Sequence, residues 1–166
     1  MKNFFREGQK LPLFGIGPYM ISGMGAVALL GILLSGNVLK SGIVGGAWAW
    51  VLRIIGVLCI VFGVIVWYIG AVKSDMDDHI GENRLKTDGI YAWVRNPMYS
   101  GWMFLAFGIV LMWHNLWLLP VFPINWLIMT AVLKATEEKW LKNLYGDEYV
   151  QYCRKVNRCI PWRRFE

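Results

Sequence analysis

Four apolar stretches separated by short polar breaks organise this chain. The runs 11–39 and 54–72 contain no charged residue, and each reaches the roughly 20 residues that cross about 30 Å of hydrocarbon at 1.5 Å per residue. A third run, from Tyr99 to Trp113, has 15 residues. At the same rise it spans about 22 Å, short for a full crossing. His114 and Asn115 interrupt it. A fourth run returns over 116–133 with Pro120 near its start and Pro123 one turn later; the missing backbone donors predict a kink there.

The pattern predicts an all-α, polytopic membrane helix bundle of about four transmembrane segments. Helices are expected over 17–39 and 48–72, joined by a Gly-rich turn through Ser41, Gly42, Gly45 and Gly46. The last two segments are expected to form a short hairpin over 99–133, with His114 and Asn115 capping helix ends at its tip. Gly56, Gly63 and Gly70 recur every seven residues, which aligns them on one helix face where a neighbouring backbone comes close. Arg53, in the first turns of the second helix, reads as a side chain that snorkels to the interface.

Beyond Leu133 the period persists but the pattern turns amphipathic. Leu141, Leu144, Tyr145, Tyr149, Tyr152, Cys153 and Val156 follow three- and four-residue spacing against charged residues, predicting a pair of cytosol-facing helices. Gly146 and Asp147 read as a C-cap followed by an N-cap, so the segment breaks there. Trp162 after Pro161 suits an interfacial anchor. The chain is expected to be one domain over 1–166: two transmembrane helices over 1–72, a cytosolic connector over 73–98, the hairpin over 99–133 and C-terminal helices over 134–166.

Composition agrees with this reading. The chain is 57% apolar and has ten Trp, values outside the soluble class. Lys2, Arg6 and Lys10 before the first run resemble a signal peptide, but the run exceeds a signal core of about 7–15 residues and is expected to stay in the mature protein. Cys59, Cys153 and Cys159 are too scattered for a disulfide framework or metal-ligand spacing, and Cys59 is expected to be a buried apolar residue. The acidic run Asp75-Met76-Asp77-Asp78 with His79 reads as solvated loop charge, and no metal is expected. The formal charge of +6 does not point to nucleic acid, because of where the charge lies. With both termini on one side, only Lys40 and Arg53 fall opposite, while the other fifteen of the seventeen Lys and Arg share one face. That asymmetry makes the shared face, and both termini, cytoplasmic. Its basic excess suits anionic membrane lipids.

Two polar motifs bracket the last apolar stretch on that face. Pro97 biases Asn96 towards extended backbone, so Arg95-Asn96-Pro97 turns the chain into the third helix, whose free N–H groups favour a carboxylate or phosphate. Arg95 adds a permanent charge and a planar fork. Glu137 and Glu138 point about 100° apart on a helix. One is expected to face the site and the other to pair with Arg95 or Arg158, or both are simply solvated.

Thr87-Asp88-Gly89-Ile90-Tyr91, Val94-Arg95-Asn96-Pro97-Met98-Tyr99-Ser100-Gly101, Asn115-Leu116, Glu137-Glu138, Leu141, Tyr145-Gly146-Asp147-Glu148-Tyr149, Tyr152 and Ile160-Pro161 together resemble the isoprenylcysteine carboxyl methyltransferase and phospholipid methyltransferase superfamily, over roughly the C-terminal half. The resemblance implies an S-adenosylmethionine-dependent methyltransferase, its cofactor in a cytosol-facing pocket and its lipophilic acceptor arriving from the bilayer. It implies that Tyr91, Asn96, Pro97, Tyr99 and Gly101 shape the cofactor pocket and that Glu137 or Glu138 holds the methionine ammonium. Arg95 and Arg158 are the candidate cations for a carboxylate acceptor, and Tyr149 and Tyr152 are possible polar contacts. The family often has His where Asn96 stands and Pro where Asn157 stands, so no general base is assigned. Two other readings remain: a sterol-type membrane reductase using NADPH, against which Trp102 after Gly101 counts, and a non-catalytic membrane scaffold or lipid-binding protein.

Overall fold

Helix α1 (Gly17–Ser35) opens with Pro18 in its first turn, where a missing N–H costs nothing. The computed structural model describes residues 15–74, 79 and 82–161. Lys2, Arg6, Lys10, the acidic run 75–78 and Trp162 lie outside the described residues. The helix stops four residues before the expected end at Leu39. Asn37 turns its side-chain amide onto the Leu33 carbonyl at 3.1 Å, and a short 3-10 turn over Lys40–Gly42 follows.

Helix α2 (Gly46–Ala71) is followed by the connector, a 3-10 turn over Gly89–Ala92 and helix α3 (Pro97–Leu111). Helix α4 (Val121–Ala135) leads into α5 (Glu137–Tyr145) and α6 (Asp147–Lys155). Gly17–Ser35, Gly46–Ala71 and the combined stretch Leu116–Tyr145 are long and apolar enough to cross a membrane, whereas Pro97–Leu111 is shorter.

The α2–α3 contact is the closest in the bundle, and glycine makes it. A Cβ on Gly63 would stand 2.6 Å from the Gly101 carbonyl oxygen, one on Gly56 2.8 Å from that of Gly108, and one on Gly70 2.8 Å from the Pro97 ring. The two helices thus run antiparallel with backbones in contact, as the seven-residue glycine repeat predicts. Much of the rest of α2 is exposed, Trp48, Ile54, Leu58, Val61 and Ile65 among its residues, as lipid-facing positions require. Cys59 is accordingly only half-buried, not the core residue expected, because α2 packs on one face alone. Arg53 lies 5.4 Å from the centre of the Trp50 ring, a cation–π contact near the helix start.

Two clusters fill the space between α1, α3 and α4. Ala28, Ala106, Val110, Leu118 and Val121 form one; Met20, Met24, Tyr99, Met103, Met129, Leu133 and Cys159 form the other. The expected kink in the fourth segment does not occur. Pro120 is the N-cap of α4 and Pro123 falls in its first turn, where backbone N–H groups have no intrahelical partner to lose.

At the hairpin tip Asn115 is almost fully buried. Its Nδ2 donates to Ser35 Oγ at 2.8 Å and to the Leu39 carbonyl at 2.9 Å, while its Oδ1 accepts from Trp117 N at 3.0 Å. This is the capping role expected of it. At the other end Gly146 breaks the amphipathic segment with a φ of 57°, a left-handed conformation that favours glycine.

Candidate functional site

The polar residues of the third helix start, the α4–α5 junction and the chain beyond α6 converge at one end of the bundle. Val94 and Asn157 form an isolated parallel bridge, and Arg95 N donates to the Asn157 carbonyl at 2.8 Å. Asn96 Nδ2 donates to the Arg158 carbonyl at 3.0 Å. The connector is thereby bound edge to edge with the C-terminal chain, which brings Arg95 and Arg158 to the same place.

Glu138 binds both arginines. Arg158 Nε donates to Glu138 Oε1 and Nη2 to Oε2 at 3.0 Å, a two-pronged pair,. Arg95 Nη1 lies 3.3 Å from the same Oε1 and also donates to Cys153 Sγ and, at 3.4 Å, to the Tyr149 hydroxyl. Arg95 is buried, and its Nε has no hydrogen-bond partner among the described residues. The bond to Glu138 holds the Arg158 guanidinium above its ordinary value.

Glu137 makes a different set of contacts. Its Oε1 accepts from the Tyr99 hydroxyl at 2.7 Å and from Ile16 N at 3.1 Å. Both donors are neutral, and neither bond uses Oε2. The pair therefore divides: Glu138 is neutralised by cations, and Glu137 is held by uncharged groups linking α1, α3 and α5.

Beside Arg95 lies a small pocket of about 40 Å³, lined by Arg84, Leu85, Lys86, Tyr91, Arg95, Asn96, Leu141, Tyr145, Tyr149 and Tyr152. Lys86 is buried and pairs with Asp88 at 2.9 Å, which lowers the Asp88 carboxyl pKa. Tyr152 donates to the Tyr91 carbonyl at 2.6 Å, and Tyr91 donates to that of Gly70 at 3.3 Å. Burial raises the Tyr149 and Tyr152 phenols; nearby Arg95 acts the other way and loses. Both stay protonated donors.

Of the residues expected at the site, Arg95, Asn96, Tyr91 and Tyr149 line this pocket. Glu138 stands one contact away through Arg95, Arg158 through Asn96, whose amide donates to its carbonyl, and Tyr99 and Glu137 pair beneath the start of α1. Pro97 and Gly101 are not among the lining residues; they face Gly70 and Gly63 in the α2–α3 seam. Lys86, Leu85 and Cys153 join the site without having been expected there. Cys153 lies on the amphipathic stripe, so its inward direction was readable. Nothing local marks Lys86, whose burial depends on the connector folding over α6.

The model of the phospholipid methyltransferase family matches residues 46–148. The chain belongs to the phospholipid methyltransferase family. Methanethiol S-methyltransferase 1 of Bradyrhizobium diazoefficiens is 39% identical over 88 residues, covering 49% of this chain and 27% of that protein. Protein-S-isoprenylcysteine O-methyltransferase of Xenopus laevis is 28% identical over 119 residues, covering 67% and 41%. The Homo sapiens protein of the same name is 26% identical over 122 residues, covering 67% and 42%. The chain thus spans between 27% and 42% of the length of these three family members. No solved structure matches it. Among the described residues there is no cluster of His, Cys, Asp and Glu able to hold a metal ion.

Proposed function

We propose that this chain is an S-adenosylmethionine-dependent methyltransferase acting on a lipophilic acceptor at the cytosolic membrane face. The observation that carries the reading is the charge division at the site. Arg95 and Arg158 share one carboxylate, Glu138, leaving one positive charge in excess, while Glu137 has only neutral donors on it. A positive subsite beside a negative one suits an amino-acid end that carries both carboxylate and ammonium. The unpartnered Arg95 Nε fits a carboxylate oxygen, Glu137 fits the ammonium, and the Tyr91, Tyr145 and Tyr149 rings offer walls for an aromatic base. The pocket of about 40 Å³ admits a single polar group, so the reading requires the connector at Arg84–Lys86 to move outward on binding.

When bound, the cofactor supplies an activated methyl group on a sulfonium. The protein's part is to align an acceptor atom opposite the leaving sulfur and to exclude water. The pocket lining contains no carboxylate or imidazole, and burial raises the Tyr145, Tyr149 and Tyr152 phenols that line it, so none of these is suited to remove a proton. That favours an acceptor already ionised on arrival, an isoprenylcysteine-type carboxylate before an amine. With Arg95 Nε given to the cofactor's carboxylate, Arg158 is the cation that would position the acceptor, with Tyr149 as a hydrogen-bond donor. The two N-terminal helices then hold the unit in the membrane, the connector and C-terminal helices complete the cofactor site, and the positive-charge bias keeps both termini cytoplasmic.

The test is labelled methyl transfer from S-adenosylmethionine in bilayers, against lipophilic carboxylate, thiol and amine acceptors, with cofactor binding measured alongside. Transfer to the carboxylate with lost cofactor binding in Glu137→Gln is expected. Saturable NADPH binding without S-adenosylmethionine binding would instead establish a reductase, and full activity in Glu137→Gln, Glu138→Gln and Arg95→Ala alike would reject the site.

A further inference from the structure

A buried amide stands unpaired in the helix core. Asn125 on α4 is 0% exposed, and neither its Nδ2 nor its Oδ1 has a hydrogen-bond partner among the described residues. Leaving such a group unpaired is destabilising, because its lost hydration is not replaced. A leucine would avoid that cost, so a polar side chain at this position implies a binding role.

Its position in the bundle indicates what it could bind. Val121, Asn125 and Met129 follow one another a turn apart on the buried face of α4,. Val121 packs in a cluster with Ala28 and Ala106, and Met129 in one with Met24 and Met103. Asn125 therefore lies at the level where α1 and α3 present Met24, Ala28 and Ala106. Those three residues also line a groove of about 220 Å³ between α1 and α3, whose lining includes no charged residue. Asn125 is not itself among the residues lining that groove; Ala28 and Ala106, with the smallest side chains at its level, are. Trp102, which lines the groove, carries a second buried donor, Nε1, with no partner among the described residues.

We propose that the α1–α3 groove binds a membrane-borne lipophile bearing a neutral hydroxyl or carbonyl group, which passes between Ala28 and Ala106 to hydrogen-bond Asn125. The ligand is neutral because neither the groove nor the two flanking clusters contains a countercharge, and an ionised group would be buried unpaired. The amide offers both a donor and an acceptor, which matches hydroxyl and carbonyl alike. The groove runs about 16 Å along α1 from Ile21 to Ile32, the length of one alkyl chain, and Asn125 is about 18 Å along the chain axis from Glu137 at 1.5 Å per residue. This is a separate site from the polar cluster at the helix ends.

The test compares two probes of equal chain length, oleyl alcohol and 1-octadecene, by thermal unfolding of the purified chain in detergent. The alcohol is expected to raise the wild-type midpoint by several degrees more than the alkene. Asn125→Leu should melt at or above the wild-type temperature and lose that difference. Gly25→Leu should also lose it, because its side chain fills the groove from a position where a Cβ meets nothing within 4 Å. Equal effects of the two probes on the wild type would overturn the proposal, as would a difference that survives in Asn125→Leu, or an Asn125→Leu protein that melts well below wild type. S-adenosylmethionine binding measured on the same samples reports separately on the methyltransferase reading.

Discussion

Tyr99 donates its hydroxyl hydrogen to Glu137 Oε1 at 2.7 Å, joining the first turn of α3 to the first turn of α5 across 38 positions of sequence. Ile16 N meets the same oxygen, so one carboxylate oxygen ties together the beginnings of three helices. Tyr99→Phe deletes one of its two donors. A hydrogen bond to a charged group is worth about 1.5–3 kcal/mol; the variant is expected to lose stability in that range by thermal unfolding and to bind S-adenosylmethionine more weakly by calorimetry.

Glu138→Gln removes the carboxylate that Arg95 and Arg158 share. Removing one partner of a fully buried pair costs about 3–5 kcal/mol because the remaining charge is left uncompensated; with Arg95 buried but Glu138 and Arg158 partly exposed, the loss should fall at or below that range. A double-mutant cycle of Glu138→Gln with Arg158→Gln should show strong coupling, with the double variant less damaged than the sum of the single ones. Additive losses would mean that the two side chains act independently.

Gly101→Ala is expected to disrupt the bundle. Its new Cβ would stand 2.6 Å from the Gly63 carbonyl oxygen and 2.8 Å from Trp67 N, both rigid backbone atoms, so α2 and α3 must separate. Gly23→Ala is the control, since a Cβ there meets nothing within 4 Å. Yield and monodispersity in detergent should fall sharply for the first and stay at wild-type level for the second.

Cys159 is almost fully buried, and burial pushes its thiol from 9.0 up to about 11. The folded state therefore keeps the proton after an unfolded thiol has lost it, and stability falls as pH rises from about 9 to about 11. Cys159 should resist maleimide labelling in the folded protein at pH 8 and react once the protein is unfolded. Ready labelling of the native chain at pH 8 would contradict the burial.

The helix-forming runs were legible because hydrocarbon imposes length and uncharged composition, signals that need no partner to be read. The heptad of Gly56, Gly63 and Gly70 likewise announced a close helix contact, though not that Gly101, Gly108 and Pro97 would supply it. Prolines were misread where their effect depends on place within a turn: Pro120 and Pro123 begin α4 instead of kinking it. The end of α1 was misplaced because apolarity continues to Leu39 while Asn37 diverts its own amide onto the Leu33 carbonyl. Cys59 looked like core by type, but only the packing shows that α2 is covered on one side.

At the polar face, residue type and spacing marked Arg95, Arg158 and the two glutamates, because charge at the end of an apolar helix is conspicuous in one dimension, whereas Asn96, Tyr99 and Tyr149 were marked by the family resemblance. The division of labour between Glu137 and Glu138 was decided by tertiary structure. Adjacent carboxylates on a helix are chemically identical until something approaches them. The side chain of Tyr99 and the backbone of Ile16 arrive on one side, the guanidinium groups of Arg95 and Arg158 on the other, each from a segment remote in sequence. The same holds for Asn125: its amide is ordinary as a letter in the chain, and becomes costly only because α1 and α3 close around it without offering a partner.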